Sequence, residues 1–189
     1  NASPPAVSRL RLMLAMFTEA RHIRVFADIV AGRAPIVALL ETAGALSSLD
    51  EWIATPGLYE VLVGLNDLHL SLGCKFMFEP LLMGHVDRVA VAAKRQGLRM
   101  GFGGIARVDE GVLPGRDVLG EHIRLGSQAV ILSRTFNRVG GETSFEEAVG
   151  AIRAAESELG QRTPGDTEQD RVRVAGLIRQ LSHVLKVPA

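Results

Sequence analysis

Short apolar runs and helical patterns alternate five times between residues 10 and 160, and this alternation constrains the fold more than any other feature. The apolar runs are LRLMLAMF (10–17), PIVALLE (35–41), YEVLVGL (59–65), LRMGFGG (98–104) and QAVILS (128–133). Helical patterns follow at 19–32, 43–54, 85–97, 116–126 and 144–160, the last one after the glycine pair 140–141. In the first helix Val25, Phe26, Ile29 and Val30 fall on one face, and Gly32 stands near its end. Parallel strands need helical crossovers, so the pattern predicts an α/β architecture around a parallel sheet.

An open doubly wound sheet and a barrel both satisfy that pattern, and the carboxyl ends of the strands discriminate between them. The first run ends at Thr18 and Glu19, the second at Glu41, the third at Asn66 and Asp67, the fourth at Arg107, the fifth at Ser133 and Arg134. Every strand thus delivers polar groups to one rim. Barrels build their sites from several strands at that rim, whereas an open sheet concentrates its site at one switch point. The barrel is favoured, with 1–160 as its barrel portion and 161–189 as a linker (161–170) and a final amphipathic helix (171–185).

Composition narrows the function. A chain of 189 residues that is 47% hydrophobic can bury one good core. Its 21 basic and 21 acidic residues balance, which points away from nucleic acid and from a polybasic membrane patch. No window has the roughly 18 apolar residues of a membrane span, and residues 1–9 lack signal-peptide character, so a cytoplasmic location is expected. Cys74 is the lone cysteine, which excludes an intrachain disulfide and a cysteine-based zinc site.

The stretch ALLETAGALSSLDEWIATPGLYEVLVGLNDLHLSLG (38–73) resembles the fifth and sixth strand-helix segments of the HpcH/HpaI aldolase and citrate lyase β-subunit superfamily. The matching features are a strand ending in Glu-Thr, a helix, a Pro-Gly turn, then Gly-x-x-Asp-Leu and a Leu-Gly pair. GFGGIA and GSQAVILSR continue the likeness as the seventh and eighth strands. Gly64-Leu65-Asn66-Asp67 departs from the pattern of many members, which place proline after the glycine. The resemblance implies a (β/α)₈ TIM barrel, of which this chain supplies strands four to eight, acting on pyruvate, phosphoenolpyruvate or acyl-CoA substrates.

In that superfamily the glutamate and aspartate at these two strand ends bind a divalent metal, which by the match are Glu41 and Asp67. The chemistry of the residues agrees. Neighbouring parallel strands lie about 4.8 Å apart, so carboxylates at their ends can share one ion. Hard oxygen ligands point to Mg²⁺ or Mn²⁺, with water and substrate in the remaining positions. The competing reading makes Glu41 a helix cap and Asp67 a turn residue.

Arg107 and Arg134 stand where guanidinium groups could grip a carboxylate or phosphate, and Asn66 and His69 flank Asp67; surface arginines and an ordinary loop histidine are the alternatives. His122 reads as structural, His85 as opening its helix, and GFGG as close backbone packing. KFMFEPLLM (75–83) reads as a lid, an oligomer contact or buried packing. The resemblance places the substrate arginine and a histidine base on the first three strands, which have no counterpart here. A longer polypeptide, or a second chain, is therefore expected to complete the barrel. The expected function is a metal-dependent carbon–carbon lyase, an aldolase taking an α-keto acid and an aldehyde, in a homo-oligomer. An acyl-CoA lyase and a non-catalytic assembly module are the alternatives.

Overall fold

The computed structural model describes residues 10–137 and 143–184. Its sheet has five parallel strands in the order β1-β2-β3-β4-β5: β1 (Leu12–Leu14), β2 (Ile36–Leu40), β3 (Leu58–Gly64), β4 (Arg99–Ile105) and β5 (Ala129–Leu132). Sequence order equals spatial order, so among the described residues there is no switch point. Right-handed crossovers in a sheet wound in one direction put the helices on a single face, as a barrel requires and a doubly wound sheet does not.

That helix-covered face holds the core. Ile36, Ala38, Leu40, Val61, Val63, Met100 and Phe102 are buried in one cluster with residues of α1 (Ala20–Val30), α6 (His85–Arg95) and α7 (Gly115–Arg124). Side chains alternate along a strand, so Met13, Val37, Leu39, Leu62, Gly101, Gly103 and Ile131 belong to the opposite face. Val37 and Leu62 are buried there outside the main cluster.

The second predicted helix is two short ones, α2 (Ala43–Ser47) and α3 (Leu49–Trp52), broken at Ser48. Buried Trp52 holds them together by donating from its indole N–H to the Ala45 carbonyl at 2.8 Å and meeting Phe17 edge-on. Strand β3 gives way to α4 (Leu65–Ser71), a helix where the sequence suggested a loop. A further turn, α5 (Glu79–Leu82), lies within KFMFEPLLM, and burial of Phe76, Phe78 and Leu81 supports the packing reading of that stripe. The 3₁₀ turn Arg134–Asn137 follows β5, and α8 (Phe145–Leu159) starts at a capping box formed by Ser144 and Glu147. The glycine pair 140–141 lies outside the described residues.

Two boundaries are corrected. The first strand is three residues long rather than eight, because beyond Leu14 the chain leaves the sheet and packs over the end of β2. The final helix, α9 (Pro164–Val184), begins inside the segment read as linker. Proline suits a first helical position, and Thr163 and Asp166 bond each other's backbone N–H at 3.0 and 3.2 Å, which starts the helix there. Val174 and Ile178 of α9 are buried in the common core, and Arg173 binds Asp117 of α7. Among the described residues no helix is long and apolar enough to cross a membrane.

Candidate functional site

The carboxyl rim of the sheet brings the predicted residues into a series. Leu40 of β2 pairs with Val63 of β3, so Glu41 and Gly64 occupy the next rung side by side. Gly64 confirms the proximity: a Cβ on it would lie 2.9 Å from Glu41 Oε2. Asp67 stands one helical turn further on, in the first turn of α4. Its charge reaches Glu41. On the next two strands Ile105 pairs with Leu132, and Arg107 and Arg134 each follow two residues later. The rim therefore runs from two carboxylates past the ends of β2 and β3 to two arginines past β4 and β5.

Glu41 is buried at 6% exposure, whereas Asn66 and Asp67 are exposed. One of its oxygens, Oε1, accepts the Met16 backbone N–H at 2.9 Å. Burial raises the Glu41 pKa, the Met16 hydrogen bond opposes that, and the nearby charge of Asp67 raises it further. Glu41 is not the helix cap: Thr42 Oγ1 accepts the Ala45 N–H of α2 at 3.0 Å and donates to the Phe17 carbonyl at 2.6 Å. The β1–α1 segment is thus stitched to the end of β2 by consecutive residues, Glu41 holding Met16 and Thr42 holding Phe17.

The other predicted residues have distinct surroundings. His69 is buried in α4, where its Nδ1 lies 3.3 Å from the Leu65 carbonyl one turn back. Arg107 is half-buried; its backbone N–H donates to Thr135 Oγ1 at 3.3 Å and its Nη2 to the Thr143 carbonyl at 3.3 Å, while Nε has no hydrogen-bond partner. Arg134 is exposed on the 3₁₀ turn. The GFGG glycines serve close packing, since a Cβ on Gly101 would fall 2.2 Å from the Ala129 carbonyl oxygen. His122 is buried, stacks on Phe102 at 3.5 Å and pairs with Ser127 at 2.8 Å, away from the rim.

The donor set fits a hard divalent cation. Asp67, in the first turn of α4, is near enough for its like charge to act on Glu41, and a cation would relieve both that repulsion and the desolvation of Glu41. Among the described residues no group of three or more His, Cys, Asp and Glu side chains gathers as a metal site. A pair is enough for Mg²⁺, which is commonly held by one or two carboxylates and keeps several waters.

Sequence reasoning missed the Met16 amide, Thr42 and Gly64. Backbone donors leave no residue signature, but Gly64, in the Gly-x-x-Asp-Leu stretch, is visible in the sequence.

No protein-family model and no curated protein matches the chain. Solved structures do. The chain is similar to RipC from Yersinia pestis, with a TM-score of 0.58 and 17% identity over 82% of this chain and 66% of that one. It is similar to an HpcH/HpaI aldolase from Desulfitobacterium hafniense, with a TM-score of 0.50 and 19% identity over 82% of this chain and 65% of that one. A citrate lyase β subunit from Mycobacterium tuberculosis, complexed with oxaloacetate and magnesium, matches with a TM-score of 0.53 and 15% identity over 80% of this chain and 61% of that one. The chain thus spans no more than about two thirds of the length of these structures. Its parallel sheet carries the fold of HpcH/HpaI aldolase and citrate lyase β-subunit structures, the superfamily that its Glu-Thr and Gly-x-x-Asp-Leu stretches resemble.

Proposed function

We propose that this chain is the carboxyl-terminal portion of a (β/α)₈ metal-dependent carbon–carbon lyase, an aldolase that works through a pyruvate-type enolate. The observation that carries the reading is the proximity of buried Glu41, just past the end of β2, to exposed Asp67, in the first turn of the helix that follows β3. Magnesium and oxaloacetate in the M. tuberculosis neighbour support it. The two carboxylates hold the cation, Mg²⁺ or Mn²⁺. A cation held there supplies Lewis-acid stabilisation of the negative charge that develops on an α-keto acid when its methyl group loses a proton.

The chain's own residues orient the reactants. Arg107 and Arg134, on the basic half of the rim, receive the anionic end of an α-keto acid or acceptor aldehyde. Exposed Asn66 offers an amide beside the acidic pair, and His69 steadies α4 and with it Asp67. The proton-transfer base would come from further strands of a longer polypeptide or from a metal-activated water. No lysine follows the end of any of the five strands at this rim, so an imine-forming nucleophile has no candidate here.

Completion of the barrel is part of the proposal. Met13 on β1 and Ile131 on β5 expose apolar surface at the two edges of the sheet, which further strands of a longer polypeptide would cover. Exchange of pyruvate methyl protons with deuterated solvent, measured by NMR on the complete metal-loaded protein and again with chelator, tests the reading. Exchange that chelator abolishes is the expected result. Absence of exchange with pyruvate and other small α-keto acids overturns the aldolase.

A further inference from the structure

Resting on that reading, we propose that Gly64 and the Met16 amide are positioning groups that divide the two oxygens of Glu41, reserving Oε1 for the protein and presenting Oε2 to the cation. The Met16 N–H takes Oε1 at 2.9 Å, which fixes the rotation of the carboxylate. The two residues after Met16 are held at the same strand end. Thr42 Oγ1 bonds the Phe17 carbonyl, and the Thr18 carbonyl oxygen packs where a Cβ on Gly44 would come within 2.4 Å.

Gly64 provides the room on the other side. Its φ of −83° is one that any residue adopts, so backbone conformation does not demand glycine there. Space does. A Cβ would stand 2.9 Å from Glu41 Oε2, closer than real contacts come, and 3.0 Å from Glu41 Cβ, a tight contact, while the next neighbour, Leu39 Cδ1, is at an ordinary 3.5 Å. The pressure of a side chain at 64 would therefore fall on the Glu41 side chain, most closely on Oε2 of the carboxylate that feels the Asp67 charge. Because Oε1 is anchored to Met16, the carboxylate could yield only by turning Oε2 away or by breaking that anchor.

The test compares Gly64→Ala with the wild type and with Gly150→Ala, a helical glycine whose added Cβ meets open space. Mn²⁺ affinity is read by electron paramagnetic resonance on the full native polypeptide, and thermal stability is read in chelator. Gly64→Ala is expected to weaken Mn²⁺ binding about tenfold or more, as losses of supporting groups around metal ligands do. Gly150→Ala should bind as the wild type. In chelator, Glu41→Asp combined with Gly64→Ala should melt higher than Gly64→Ala alone, since shortening the acid withdraws its carboxylate from the added methyl while the contact with the Cβ of residue 41 is common to both variants. Wild-type Mn²⁺ affinity in Gly64→Ala, or no gain in stability from Glu41→Asp in that background, overturns the positioning role alone. A wild type that binds no Mn²⁺ overturns the metal reading and the positioning role together.

Discussion

Two glutamates on neighbouring strands, both buried, meet opposite fates at the two ends of the same sheet. Glu60, near the start of β3, is 2% exposed and lies between Arg11 at 2.9 Å and Arg99 at 3.6 Å, with Arg11 also stacked over the Tyr59 ring. Glu41, past the end of β2, feels the charge of Asp67 and accepts a hydrogen bond from the Met16 backbone N–H. One carboxylate has its charge compensated by the protein; the other has like charge set beside it. A fold gains nothing in stability from the second arrangement, which is why the proposed site is put at the carboxyl rim, while the cluster at the amino rim reads as a structural clamp. Parallel α/β folds in general place ligands at the carboxyl ends of their strands, the end at which the proposed pair lies.

The contrast can be broken most directly by metal binding. Replacing both Glu41 and Asp67 by alanine should reduce Mn²⁺ affinity by more than the roughly 100-fold that loss of supporting groups can reach, while Glu60→Gln leaves it unchanged. Calorimetric titration of the full native polypeptide reads both. Equal binding by the double variant would dissolve the distinction between the rims.

Stability should respond in the reverse order. Glu60→Ala strands two arginines and should cost about 1–3 kcal/mol, below the range for a fully buried pair because both guanidinium groups are partly solvated. Urea denaturation in chelator measures it. A change indistinguishable from zero would mean that the clamp does not clamp.

His122 sharpens the comparison, being a buried ionisable group whose Nε2 has no hydrogen-bond partner. Burial lowers its pKa to about 3, so the native state keeps it neutral while the unfolded chain protonates near its ordinary value of about 6.5. The stability tied to the neutral ring is therefore present above pH about 6.5 and drains as pH falls toward about 3, by up to about 1.4 kcal/mol per pH unit. His122→Phe should flatten that part of the stability profile. An unchanged acid limb would show that the ring protonates without cost.

The smallest expected effect concerns Glu41 itself. Glu41→Gln removes the repulsion from Asp67 and keeps an oxygen for the Met16 N–H, so in chelator it should leave the melting temperature unchanged or raise it slightly. A marked loss would show that Glu41 is a structural group like Glu60.

Much of the fold was legible in the sequence because strand and helix periods differ, and five repeats of the alternation leave few architectures. Glu41 and Asp67 were legible because they close apolar runs and sit in stretches that resemble a known superfamily. Their environments were not. Asp67 and His69 belong to a helix rather than a strand end or loop, a distinction that a run of LNDLHLS does not signal by composition. Nothing in the run YEVLVGL tells that Glu60 will be clamped, because Arg11 and Arg99 lie 49 and 39 positions away along the chain.

By itself, then, the sequence determined the parallel α/β class, the existence of five strands and the polar residues past four of them, since these follow from local periodicity and from which residues end each apolar run; the first strand ends at Leu14, well before Thr18 and Glu19. Tertiary structure alone decided the single winding of the sheet and the register that seats Glu41 beside Gly64. It also decided the anchoring of one Glu41 oxygen on Met16, and which buried glutamate received arginine neighbours and which received an acid. Charge compensation depends on distance in space, and parallel pairing brings together strand ends that lie more than twenty residues apart in the chain.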